Sequence, residues 1–97
     1  MAKWLVERRL SGVGSRLRSL RDELAFADEQ FAHMADDADD HRVRALVADT
    51  QSAGNEFRDA QRHADALDAH RARLRQQIAE LERRQDELLD QLTAGRG

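Results

Sequence analysis

The sequence predicts an all-α fold: an antiparallel two-helix coiled-coil hairpin with a short N-terminal helical extension. Composition is the first reason. The 97 residues include no Pro and no Cys, only five Gly, and 4% aromatic side chains. A β-sandwich or barrel of this length needs turn chemistry and β-branched or aromatic strands, and both are scarce here. The second reason is a pair of ladders in which apolar or small residues recur at alternating spacings of three and four. The third is a single cluster of turn and cap formers between the ladders. With 36% of the chain charged, disorder is the rival reading, and the sustained heptad alternation argues against it. Ninety-seven residues suffice for one domain, 1–97, with a modest core.

The first element is an amphipathic extension over 1–14, where Trp4, Leu5, Val6 and Leu10 sit among Lys3, Arg8 and Arg9. Gly12-Val13-Gly14 closes it, since each glycine costs roughly 1 kcal/mol against Ala inside a helix. The first long helix is therefore expected over 15–48. Its ladder is Val6, Leu10, Val13, Leu17, Leu20, Leu24, Ala27, Phe31, Met34 and Ala38, continued by His41, Ala45 and Ala48. The acidic run Asp36-Asp37-Ala38-Asp39-Asp40 lacks Gly and reads as solvated helix.

The turn is placed at 49–55, Asp49-Thr50-Gln51-Ser52-Ala53-Gly54-Asn55, with Thr50, Ser52 or Asn55 able to cap the second helix. That helix, 56–93, carries the cleaner ladder: Phe57, Ala60, Ala64, Leu67, Arg71, Leu74, Ile78, Leu81, Gln85, Leu88 and Leu92. Its flanks are polar except at Leu89, so the apolar stripe is narrow and suits a two-stranded seam. Arg71 and Gln85 interrupt it, and polar residues at such positions fix register at a cost in stability. Arg71 needs an acidic neighbour, because an unpaired buried charge is expensive.

Flank charges select a register. A turn over 49–55 sets Leu24 near Leu81 and Phe31 near Leu74, and opposes Glu23 to Arg84, Arg21 to Glu82, Asp28 to Arg75 and Asp37 to His70. Sliding by one heptad opposes Arg16 to Arg84, Arg21 to Arg75 and Asp28 to Asp68, all repulsive. Each exposed pair is worth only some tenths of a kcal/mol, but the four agree. In that register roughly the first dozen residues overhang the end of the second helix.

The stretches RLRSLRDEL (16–24), RALVADT (44–50), RDAQRHADAL (58–67) and IAELERRQDELLDQL (78–92) resemble short, uncharacterised coiled-coil proteins of actinobacteria. The resemblance spans most of the chain and implies a helical fold but no known activity. All basic residues but Lys3 are Arg, which fits a high-GC bacterial codon bias.

Few chemistries remain open. Without Cys there is no thiol nucleophile or thiolate metal site. The hydroxyls Ser11, Ser15, Ser19, Thr50, Ser52 and Thr93 stand in no catalytic motif, and a two-helix hairpin offers no enclosed pocket for a small-molecule substrate. No enzyme activity and no cofactor are expected. Arg71, Arg73, Arg75, Arg83 and Arg84 alternate with Asp68, Glu80, Glu82, Asp86 and Glu87. Those carboxylates repel phosphate, so direct nucleic-acid binding is not expected. No apolar run in the N-terminal residues matches a signal peptide or a membrane span, and the expected compartment is cytoplasmic.

The expected function is a coiled-coil interaction or adaptor module that binds a protein partner, itself, or both. Two helices bury little area alone, and a homo-oligomer would add to the core. Phe26, Leu46, Val47 and Leu89 lie off the seam and, with Trp4 and Leu5, are the expected contact residues. One alternative is a coiled-coil regulator of RNA polymerase or the ribosome, acting through a tip that holds Asp49, Glu56 and Asp59. It rests on analogy of shape. Another is a metal or pH sensor along a histidine edge. His33, Asp37 and His41 share a helical face, and the preferred register brings Asp37 and His41 toward His63 and His70. The competing reading of these histidines is polar filler on a solvated helix.

Overall fold

The computed structural model describes residues 2–95 as a hairpin of two helices, α1 (Lys3–Ala48) and α2 (Gln51–Ala94). Among the described residues there is no strand. Met1, Arg96 and Gly97, the ends of the expected 1–97 domain, lie outside them.

Two boundaries differ from expectation. Among the described residues the extension expected over 1–14 is not set off from the first long helix: α1 is helical from Lys3 through Gly12 and Gly14 without a break. The reason is tertiary. Val6 is 2% exposed and lines a small cavity with Gln91, Leu92 and Gly95 at the end of α2. Fully burying a side chain of this kind is worth about 1.5–3 kcal/mol, enough to offset two glycines at roughly 1 kcal/mol each. The N-terminal residues therefore pack on α2 and do not overhang it.

The turn is two residues, Asp49 and Thr50, and not the seven of 49–55. The Asp49 N–H donates to the Ala45 carbonyl at 3.1 Å, and its φ of 50° stops the helix in the left-handed region. Asp visits that region more readily than most residues. Thr50 then caps α2: the Ala53 N–H donates to its Oγ1 at 3.2 Å, and the Gly54 N–H donates to its carbonyl at 3.1 Å. Gly54 and Asn55 stand inside the first turns of α2.

The hairpin comprises two compact units. One pairs α1 up to Leu24 with α2 from Leu74; the other is Ala25–Arg73 and contains the turn. Val6, Leu17, Leu20, Leu74, Ile78 and Leu88 form the core of the first, and Ala27, Ala38, Ala60 and Ala64 that of the second. Every ladder position of α2 is at least half-buried. On α1 the ladder holds from Val6 to Phe31; Met34 is exposed and Ala35 turns inward beside it.

The register is the one that flank charges argued against. In the turn-bearing unit Asp28 faces Arg71 and His41 faces Glu56; in the other, Arg16 and Leu20 lie against Gln77, Glu80 and Leu81. This is one heptad from the arrangement expected, and it accompanies the two-residue turn. The anticipated repulsions are relieved locally. Arg71 reaches into the Asp28–Asp68 opposition, with Nε donating to Asp28 Oδ1 at 2.7 Å and one terminal nitrogen donating to Asp68 Oδ1 at 3.0 Å. Arg21 stretches to Glu82 at 3.6 Å, and Arg84 turns to Glu87 on its own helix at 3.2 Å.

Candidate interaction surface

The surface follows from which apolar side chains the seam leaves out. A two-helix hairpin covers one narrow stripe per helix, and residues elsewhere stay in water. On α1 these are Trp4, Phe26, Met34, Val43, Leu46 and Val47; on α2 only Leu89 is a large exposed apolar residue. Leu46 is 72% exposed and Val47 82%; with Val43 they occupy i, i+3 and i+4 and share the outer face of the last turns of α1. Trp4 is 64% exposed, Phe26 61%, and Leu5 half-buried. The contact residues expected from sequence are thus all wholly or partly exposed. Val43 and Met34 were missed: Val43 lies between Arg42 and Arg44, where only helical phase shows that it faces outward with Leu46, and Met34 was assigned to the seam.

The polar seam residues are satisfied to different degrees. Arg71, 17% exposed, lies over the Phe31 ring at 4.3 Å from its centroid while it holds Asp28 and Asp68. His41 is less settled. Its Nε2 stands 3.8 Å from Asp37 Oδ2 and its Nδ1 3.9 Å from Glu56 Oε2. The Nδ1 is buried without a hydrogen bond.

The histidine edge does not assemble. With the register moved by one heptad, His41 meets Glu56 in place of His63 and His70; His63 is exposed, and His70 is half-buried. Among the described residues no three His, Asp or Glu side chains are grouped so as to hold a metal. At the turn end, Asp49, Glu56 and Asp59 are exposed, but Asp59 pairs with Arg62 and Glu56 with His41. Of the arginines that alternate with carboxylates on α2, Arg73, Arg75 and Arg83 are exposed, and Arg71 and Arg84 are half-buried.

Concavities are shallow. One open groove of about 350 Å³ is lined by Phe57, Arg58, Gln61 and Arg62, all from α2. The cavity of about 150 Å³ between Lys3, Val6, Gln91, Leu92 and Gly95 is mixed polar and apolar. Among the described residues no helix is long and apolar enough to cross a membrane. Comparison with family models, curated proteins and solved structures finds no match to this chain.

Proposed function

We propose that the chain is a non-catalytic protein–protein interaction module that self-associates through the outer surface of α1. One observation carries this reading: large apolar side chains outside the seam are concentrated on α1, culminating in Val43, Leu46 and Val47 at its C-terminal end. Scattered single apolar residues are ordinary, but adjacent ones on a chain with 36% charged residues mark a contact surface. A second copy is the simplest occupant, because most soluble oligomers are symmetric homo-oligomers. The test is sedimentation equilibrium of the wild type beside Leu46→Glu/Val47→Glu. The wild type is expected to be dimeric, and the variant monomeric with its helical circular dichroism retained. A wild type that stays monomeric at all accessible concentrations sinks the reading.

A further inference from the structure

In the turn-bearing unit the ring of His41 has a carboxylate at each nitrogen. Asp37, one turn earlier on α1, places Oδ2 3.8 Å from Nε2, and Glu56, across the seam on α2, places Oε2 3.9 Å from Nδ1. The ring is 20% exposed, whereas the Asp37 and Glu56 side chains are 58% and 61% exposed. Nδ1 is buried without a hydrogen bond. A neutral imidazole does not suit such a site. It has one N–H and one lone pair, and ionised carboxylates only accept. Either tautomer therefore turns a lone pair toward one of the two carboxylates, and only the imidazolium has an N–H for each. We propose that His41 is a proton-operated clamp. With a proton taken from solvent, it donates from Nε2 to Asp37 and from Nδ1 to Glu56, and so ties the last turns of α1 to the first turns of α2. The two carboxylates, being largely exposed, have the rotamer freedom to close on the ring.

The surrounding charges leave the clamp to these three groups. Among the described residues Asp37 and Glu56 have no ionic partner other than His41. Nearby on α1, Asp40 and Arg44 are exposed and Arg42 holds Asp39; on α2, Arg58 is turned to Asn55, Asp59 holds Arg62, and His63 is exposed. The hydrogen bond to Glu56 belongs to the folded, protonated chain alone. Folding is therefore favoured as pH falls through the range in which imidazole gains its charge, between about pH 8 and pH 5, and that gain is lost as pH rises again. Carboxylates in general stay ionised over this range. The clamp does not depend on self-association, since all three groups belong to one unit of one chain.

Urea unfolding followed by circular dichroism, at one protein concentration and one ionic strength, reads the effect at pH 8 and at about pH 5.5. Between the two, the folding constant of the wild type should rise about fivefold more than that of His41→Gln, the combined effect of two largely exposed ion pairs. Glu56→Gln changes an exposed side chain and leaves the core intact; it should reduce that extra rise to about twofold, the share of the Asp37 pair. His33→Gln, at an exposed histidine of the same helix, should keep the full wild-type response. The clamp is overturned if His41→Gln responds to pH as the wild type does, or if Glu56→Gln leaves the response undiminished. It is equally overturned if His33→Gln abolishes the response, because the proton would then act elsewhere.

Discussion

Arg71→Met tests whether one seam charge decides the register. The guanidinium is 17% exposed, hydrogen-bonded to Asp28 across the seam at 2.7 Å and to Asp68 at 3.0 Å, and stacked on Phe31 at 4.3 Å. Met fills similar volume without the charge, and leaves two carboxylates facing each other. A hydrogen bond to a charged group contributes roughly 1.5–3 kcal/mol when shielded. Asp28 and Asp68 are 44% and 60% exposed, so the value belongs near the surface limit, about 0.5–1 kcal/mol for the Asp28 pair. The stack adds about 0.5–1 kcal/mol. Relief of the Arg71 desolvation offsets part of this, giving a net loss of about 1 kcal/mol. Urea unfolding followed by circular dichroism measures it, and a double-mutant cycle with Asp28→Asn isolates the pair. The cycle should return about 0.5–1 kcal/mol of coupling. A coupling indistinguishable from zero, or Arg71→Met more stable than the wild type, refutes the idea that Arg71 holds the register. It would then be a tolerated charge in a seam fixed by the turn.

The other predictions concern single positions. Gly12→Ala and Gly14→Ala should each raise stability by about 0.8–1 kcal/mol. Neither glycine has positive φ, and a Cβ meets nothing at 12 and only the mobile end of Arg18 at 14; thermal melts that show a loss would mean that the helix is strained there. Asp49→Gly should stabilise the turn by about 0.5–1 kcal/mol, since the left-handed φ of 50° costs Gly nothing. Thr50→Ala should lose about 1 kcal/mol with its cap, and equal melting temperatures for Thr50→Ala and the wild type would contradict the cap. His41→Leu should gain about 1 kcal/mol at pH 8, because it removes a buried nitrogen with no hydrogen bond and adds apolar burial. Destabilisation in urea would show that contacts with Asp37 and Glu56 outweigh that nitrogen.

How far the sequence could be read depended on which interactions decide each feature. The seam was legible because a heptad repeat is a local property, and α2 follows it at all of its ladder positions. The cap was legible only as a choice among Thr50, Ser52 and Asn55, and Thr50 is the one used. The helix start was not: Gly12 and Gly14 signal a break by propensity, and only burial of Val6 against the end of α2, far away in sequence, overrides it. The register failed for a different reason. Counting opposed flank charges treats side chains as fixed points, whereas Arg reaches several ångströms. Arg71, assigned to the seam, neutralises an opposition that the count scored as repulsive, and Arg21 still finds Glu82 in the other register. The histidine edge was lost with the register, since its cross-helix partners were set by it.

The two helices differ in what their outer faces expose, and this bears on which of them meets a partner. On α2 many exposed polar side chains are closed on themselves: Asn55 with Arg58, Asp59 with Arg62, Gln61 with Asp65, and Glu87 with Arg84. α1 forms such pairs too, Lys3 with Glu7, Asp37 with His41 and Asp39 with Arg42, so charge pairing does not separate the helices; what does is that the large exposed apolar residues, Leu89 apart, are gathered on α1. Local i,i+3 and i,i+4 pairs are cheap to form on any helix, and both helices use them. A helix with apolar side chains outside its seam among charged neighbours has the composition of an interface, with apolar anchors rimmed by polar groups. Variants on the outer face of α1 should therefore change association, while charge reversals at Asp59, Arg62 or Asp65 should leave it within about twofold, as expected for exposed positions outside a contact. Equal sensitivity of the two helices would place the contact elsewhere.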